Sequence, residues 1–295
     1  MSWLVESTID AGGTKTRVLR GGPHDAAATL FLHGGIPGLT PYCGGAHIWG
    51  DTPAMFAESR HVIAPDLPGS GGTVPAGPPT IASLTQHVLG LLSALDIPRV
   101  DVVGHDLGGL IGVALALEHP SRVSSLSVIS SAMTAPTADG LDNILLAAPP
   151  APRWGRESQA WVFERLSYGH GHITPALLDA CVAAGKGEAH RRSVEMAKSG
   201  TALAASMAKT RYALWDACRN KGVPVPTQIV WASHDPATSR DQAYVLFRTI
   251  AEKQTATQMH VINRAGSFPF REQPEAFHHV VGAFQDGARA EAGVA

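Results

Sequence analysis

One segment carries most of the structural information in this chain, Val102-Val103-Gly104-His105-Asp106-Leu107-Gly108-Gly109. Its first residues are β-branched and apolar, as in a strand buried on both faces. Residues 107–118 are rich in Gly, Ala and Leu and end before Pro120, which predicts a helix. The chain therefore passes from strand to helix at Asp106, and the small residues Gly104 and Gly108 leave room for a sharp corner.

Two interpretations of Asp106 follow from this corner. A helix N-terminus offers positive potential and free N–H groups, so a carboxylate placed there is stabilised and can attack carbon. Aspartate is also a favoured N-cap residue, and capping alone would account for it. The glycines on either side favour a corner that presents the side chain as a nucleophile.

The rest of the chain alternates strand-like and helix-like segments. Strands are predicted at 29–32, 61–64, 100–103, 123–129, 227–231 and 259–262. Helices are predicted at 81–95, 107–118, 240–252 and 274–290. Such alternation predicts a parallel sheet covered by helices on both faces, and the segments near Leu4 and Val18 predict antiparallel edge strands.

Residues 133–222 interrupt the alternation, because they contain helix-like pieces, a proline-rich loop and no convincing strand. We therefore predict a core formed by residues 1–132 and 223–295, with a helical cap at 133–222 inserted between two core strands.

Composition narrows the function. The net charge of −2 gives no basic surplus for nucleic acid or an anionic membrane, and no apolar run reaches the roughly 20 residues of a membrane helix. The three cysteines form no CxxC pair, and the first residues do not resemble a secretory signal. We expect a cytoplasmic protein with a small-molecule substrate, no nucleic-acid or membrane partner, no cofactor and no metal; a homodimer stays open.

Two further motifs lie at strand ends. The loop Phe31-Leu32-His33-Gly34-Gly35-Ile36-Pro37-Gly38 follows a predicted strand, and its backbone N–H groups are suited to binding an oxyanion. We expect the N–H groups of Gly35 and Leu107 to be the two donors. Asp235 follows the predicted strand 227–231 and suits an acid that orients a catalytic base. Taken alone, each motif is also compatible with an ordinary turn.

Together, these motifs resemble the α/β-hydrolase superfamily over nearly the whole chain. The His33–Gly38 loop is similar to that of meta-cleavage-product hydrolases, and Gly104–Gly109 resembles the aspartate elbow of epoxide hydrolases and haloalkane or haloacetate dehalogenases. The resemblance implies an α/β-hydrolase fold, with a mostly parallel eight-stranded sheet, helices on both faces and an inserted helical cap. It also implies that Asp106 is a nucleophile that forms an alkyl-enzyme ester and that Asp235 is the acid.

The resemblance fails at the catalytic histidine, which the family places in a Gly-His-x-x-x-x-Glu pattern. The chain reads Ala265-Gly266-Ser267-Phe268-Pro269-Phe270-Arg271-Glu272 instead. Ser267 stands at the histidine position, and a serine hydroxyl has no useful basicity near neutral pH. His234 and His33 are the remaining candidates for a base, while His105 is expected to face into the elbow.

Several other residues are candidates for the pocket. Epoxide hydrolases use cap tyrosines to polarise the epoxide oxygen, so Tyr168 and Tyr212 are included, with packing as the alternative. Leu107 stands where dehalogenases commonly have a halide-binding tryptophan, which disfavours dehalogenation. The remaining candidates flank the motifs: His33, Gly34, Ile36, Trp49, His105, His234 and Phe268.

Four hypotheses follow. The first is a hydrolase that acts on a small organic substrate through Asp106, epoxide hydrolase-like or related, with a triad that lacks its histidine. The second is a lyase, isomerase, decarboxylase or cyclase in which Asp106 is an acid or base. The third is a ligand-binding protein that has lost its chemistry. The fourth is a laboratory substitution at Ser267 or Asp106.

Overall fold

The structure is a computed structural model that describes residues 4–136, 148–199, 202–291 and 293. Its strands are β1 Leu4–Ala11, β2 Thr14–Gly21, β3 Ala28–Leu32, β4 His61–Pro65, β5 Val100–His105, β6 Val123–Ile129, β7 Thr227–Ala232 and β8 Thr257–Ile262. All six predicted core strands are present. Both predicted edge segments are strands as well.

These strands form one eight-stranded sheet in the order β1-β2-β4-β3-β5-β6-β7-β8. β1 and β2 pair antiparallel, as do β2 and β4, and every pairing from β4 to β8 is parallel. The mostly parallel α/β-hydrolase sheet expected from the sequence is therefore confirmed. Because the carboxyl ends of parallel strands share one edge, the loops after β3, β5, β7 and β8 converge there.

The helices are α1 Thr52–Phe56, α2 Ile81–Ala94, α3 Leu107–Glu118, α4 Arg156–Leu166, α5 Pro175–Lys186, α6 Glu188–Ser199, α7 Ala202–Asn220, α8 Arg240–Ala251, α9 Pro269–Glu272 and α10 Pro274–Glu291. Short 3₁₀ turns span Ala46–Trp49 and Pro120–Arg122. The four helices predicted from periodicity correspond to α2, α3, α8 and α10. Between β6 and β7, the described residues contain α4 to α7 and no strand, while the division into core and cap at 133 and 222 stays a prediction.

Alternation along the central strands explains why both faces of the sheet are covered. Leu30 and Val102 pack into one apolar cluster with α2 and α3, whereas Phe31 and Val103 pack into a second cluster with α10. All four side chains are inaccessible to solvent. β5 is thus packed on both faces, and this packing holds the corner that follows it in place.

Candidate active site

The corner at Asp106 has the backbone geometry of an elbow and not of a cap. Asp106 lies in a sparsely allowed region, with φ 47° and ψ −108°, and its side chain makes no N-cap hydrogen bond. The neighbouring glycines are sterically required: a Cβ on Gly108 would lie 2.0 Å from the Leu32 carbonyl oxygen, and one on Gly104 would lie 2.4 Å from the Gly108 carbonyl oxygen. The strained backbone therefore turns the carboxyl toward the loop after β3, where Gly35 N–H donates to it, and away from the position of a capping side chain.

Backbone N–H groups surround the Asp106 carboxyl. Gly35 N–H donates to Asp106 Oδ2 at 3.4 Å, and the N–H groups of Leu107 and Met133 also donate to this carboxyl. These bonds favour the carboxylate, but burial has the larger effect and raises the pKa of Asp106 to about 6. Both donors expected to bind an oxyanion, Gly35 and Leu107, thus point at the protein's own carboxylate.

Asp235 and Ser267 meet on the other side of the site. Ser267 Oγ donates to Asp235 Oδ1 at 2.7 Å, and Ala237 N–H donates to the same oxygen at 3.0 Å. Burial raises the pKa of Asp235 to about 7 against these bonds, and the charge of Asp106 contributes a smaller rise. The structure therefore brings the three residues expected to be catalytic, Asp106, Asp235 and Ser267, to one site.

No imidazole supports Asp106. All 14 histidines of the chain lie in the described residues, and none hydrogen bonds to the Asp106 carboxyl. His105 Nε2 donates to the Ser267 carbonyl oxygen at 2.9 Å, and burial lowers the pKa of His105 to about 3. His33 accepts from Leu67 N–H at 3.0 Å and donates to the Gly34 carbonyl at 2.8 Å. Both rings are therefore neutral structural groups.

Asp106 opens into a cavity of about 440 Å³ at the carboxyl edge of the sheet. The walls combine residues of the loop after β3 with residues located between β6 and β7. The lining residues are Ile36, Leu39, Thr40, Pro41, Tyr42, His105, Asp106, Ser130, Ala132, Met133, Arg153, Leu166, Ala237, Ser267 and Phe268. A cavity of this size, mostly apolar with a few converging polar groups, suits a small organic molecule.

Several residues that we expected in the pocket lie elsewhere. Trp49 is inaccessible because it packs against Phe31 and Phe270, with ring centroids 5.1 and 4.3 Å away. Tyr212 is 76% exposed on α7, since its position falls on the outer face of that helix.

Tyr168 and His234 also lie outside the cavity. Tyr168 is 48% exposed and packs on the ring of the exposed His234 at 4.5 Å, so neither side chain lines the cavity. His33 and Gly34 do not line the cavity. Gly34 packs closely against the elbow, since a Cβ on it would lie 2.9 Å from Asp106 Cβ. Of the pocket candidates, Ile36, His105 and Phe268 do line the cavity.

Sequence reasoning missed ten of these lining residues, among them Tyr42, Ser130, Met133 and Arg153. Ser130 directly follows β6 with φ 37°, and its place after a core strand was a usable signal. Tyr42, Met133 and Arg153 lie in irregular segments where no periodicity indicates which way a side chain points.

Within the described ranges, no group of three or more His, Cys, Asp or Glu side chains is arranged to hold a metal ion. In the same part of the chain, no helix combines the length and apolar character required to cross a bilayer.

Comparison with known proteins agrees with the fold described above. The model of the alpha/beta hydrolase family matches residues 29–280. A 2-hydroxymuconate semialdehyde hydrolase of Pseudomonas sp. strain CF600 is 34% identical over 163 residues, which are 53% of this chain and 54% of that protein, so the chain spans about half the length of that relative.

Two further proteins match over most of the chain. A 2-hydroxy-6-oxononadienedioate/2-hydroxy-6-oxononatrienedioate hydrolase of Cupriavidus pinatubonensis is 29% identical, covering 93% of this chain and 92% of that protein. The crystal structure of a meta-cleavage product hydrolase from Pseudomonas fluorescens IP01 superposes with a TM-score of 0.76 at 21% identity, covering 96% and 98% of the two chains. This chain therefore belongs to the alpha/beta hydrolase family of enzymes and is related to the meta-cleavage product hydrolases.

Proposed function

We propose that this enzyme acts on a small organic substrate through the Asp106 carboxyl, which exchanges a proton with a carbon of the substrate. The observation that carries the proposal is that Asp106 lines the cavity while no histidine hydrogen bonds to its carboxyl. Hydrolysis of a covalent ester on Asp106 needs a base that activates water. The Ser267 hydroxyl is not basic, and His105 is a poor base because burial lowers its pKa to about 3 and its Nε2–H donates to the Ser267 carbonyl.

Proton transfer, by contrast, needs only the groups that are present. A pKa of about 6 leaves Asp106 mostly ionised at pH 7 and still able to hold a proton, which is the range in which a general acid–base works well. The mostly apolar cavity wall also suits a hydrocarbon substrate that would displace water from the carboxyl when it binds.

The relatives suggest the substrate class. The name of the Cupriavidus relative specifies an unsaturated acid that carries a hydroxyl and a ketone. In such a molecule, moving one proton between carbon and oxygen interconverts the enol and the ketone, and it requires no water. Arg153 supplies a cationic side chain to the described lining of the cavity and suits a substrate carboxylate. We therefore propose an isomerisation of an unsaturated hydroxy-oxo acid.

The test follows 2-hydroxy-6-oxononadienedioate in D₂O by NMR, with and without enzyme. The expected result is enzyme-dependent deuterium at one carbon without cleavage of the chain. Asp106→Asn keeps the side-chain shape, and we expect it to slow the exchange by about 10³-fold. Exchange that is equally fast with Asp106→Asn and with wild type would refute the role of Asp106.

One observation favours a second candidate, covalent catalysis. The strained corner at Asp106 resembles the elbow that presents the nucleophile in other enzymes of this fold, and this supports the candidate. On this alternative, mass spectrometry of the wild-type enzyme incubated with an epoxide such as styrene oxide detects an adduct on Asp106. Asp106→Asn serves as the control that forms none. An adduct together with no deuterium exchange would favour the covalent route over proton transfer.

A further inference from the structure

The Tyr42 hydroxyl is a polar group that no part of the fold uses. Tyr42 is 6% exposed, and its ring is held against Phe163 and Phe268, with centroids 5.6 and 5.8 Å away. Its hydroxyl makes no hydrogen bond within the described residues and is not among their buried unpartnered polar atoms, because it reaches the cavity that Tyr42 lines. The fixed ring therefore carries an unused donor.

That donor lies beside the Asp106 carboxyl. A Cβ built on Gly35 would lie 3.3 Å from Tyr42 Oη, and the N–H of the same glycine donates to Asp106 Oδ2. Tyr42 and Asp106 both line the cavity. Burial first, and then the negative charge of Asp106, raise the pKa of Tyr42 well above its usual value, so the phenol keeps its proton.

The usual donors for an oxyanion are already occupied. The N–H groups of Gly35, Leu107 and Met133 all point at the Asp106 carboxylate. When Asp106 removes a proton from carbon, the electron pair of the broken C–H bond moves onto the neighbouring carbonyl oxygen, which becomes an enolate. This oxygen therefore needs another donor.

We propose that Tyr42 is a catalytic residue whose hydroxyl donates a hydrogen bond to the substrate oxygen on which the negative charge develops. This inference rests on the proposed function of Asp106. The step is balanced within the enzyme–substrate pair: the proton passes from carbon to the Asp106 carboxylate and later returns to the substrate. Tyr42 keeps its own proton throughout.

Tyr42→Phe removes only the hydroxyl, and the matched control is Tyr244→Phe, an exposed tyrosine on α8. With 2-hydroxy-6-oxononadienedioate, we expect Tyr42→Phe to lower kcat of deuterium exchange by about 10²-fold, with KM changed less than threefold. Tyr244→Phe has no effect. A normal kcat for Tyr42→Phe, while Asp106→Asn is inactive, overturns the role of Tyr42 and leaves that of Asp106 standing.

A binding assay tests the same bond without turnover. The probes are 4-nitrophenol, which offers an oxygen to Tyr42, and nitrobenzene, which has the same ring without that oxygen. We expect wild type to bind 4-nitrophenol at least about tenfold more tightly than nitrobenzene, and Tyr42→Phe to lose this preference. No preference in wild type, or a preference that Tyr42→Phe keeps, overturns the proposal.

Discussion

The side chains in the two halves of the site are both held in place by hydrogen bonds, but the two halves differ in chemistry. On one side, the corner after β5 presents Asp106 to the cavity, with three backbone N–H groups around its carboxyl. On the other side, Asp235 and Ser267 follow β7 and β8, and they are joined by a hydrogen bond of 2.7 Å. The first half is a carboxyl surrounded by backbone N–H donors, whereas the second is a carboxyl paired with a hydroxyl, which has no useful basicity near neutral pH.

The difference shows that backbone geometry and side-chain chemistry vary independently in this fold. Ser267 N–H donates to the Leu166 carbonyl at 2.7 Å, and His234 N–H donates to the Ala265 carbonyl at 3.0 Å. The loops after β7 and β8 are therefore held in place although the histidine is absent. The same backbone arrangement can carry different side chains, so function has to be argued from the side chains that are present.

The steric requirement of the elbow gives the largest expected effect. In Gly108→Ala, the new Cβ would lie 2.0 Å from the Leu32 carbonyl oxygen, and both strand and helix are fixed by the core. We expect the free energy of unfolding to fall by at least about 3 kcal/mol, measured by urea denaturation. Gly287→Ala on α10 is the control, because its Cβ meets nothing within 4 Å. Equal stability of the two variants would show that the corner tolerates a side chain.

The raised pKa values of both halves predict how stability depends on pH. For Asp106, the pKa is raised from 3.8 to about 6, and for Asp235 from 3.8 to about 7. Between those limits, the folded state binds more protons than the unfolded state, so the free energy of unfolding falls as pH rises from about 4 to about 7.

Asp106→Asn removes one of these contributions. Relative to wild type, we expect it to gain at most roughly 3 kcal/mol in the free energy of unfolding between pH 4 and pH 8, and Asp235→Asn to gain more. Urea denaturation at the two pH values measures both, with Tyr244→Phe as a variant that removes no carboxyl. A difference from wild type that is the same at pH 4 and pH 8 would contradict the pKa assignments.

Ser267→His gives the smallest expected effect, and it tests whether a base placed beside Asp235 allows hydrolysis at the site of Asp106. The new imidazole would stand beside Asp235 at the edge of the cavity and supply the missing base. We expect cleavage of 2-hydroxy-6-oxononadienedioate to rise at least about tenfold over wild type, measured from its carboxylic acid products. Ser267→Ala removes the hydroxyl without adding a base and should leave cleavage unchanged. If Ser267→Ala cleaves as fast as Ser267→His, the missing base is not what limits hydrolysis.

Regular elements and their order were predictable because their signals are local. Alternation of β-branched runs with helical periodicity located β3 to β8, and the glycines beside Asp106 indicated the elbow. The position of Ser267 was predictable for the same reason, since it follows a recognisable pattern. Pocket walls were not predictable in this way: Trp49 was expected in the cavity but packs in the core, and Tyr212 was expected there but is exposed.

The sequence by itself determined the individual strands and helices, the corner at Asp106 and the serine at position 267, because each depends on residues close together in the chain. Only the tertiary structure decided which tyrosine lines the cavity together with Asp106. It also decided whether burial or the helix N-terminus has the larger effect on the pKa of Asp106. Tyr42 reaches the site from an irregular loop, while Tyr168 and Tyr212 do not. Burial raises the pKa of Asp106 to about 6 because desolvation sums over every atom packed around a group, and no local pattern encodes that sum.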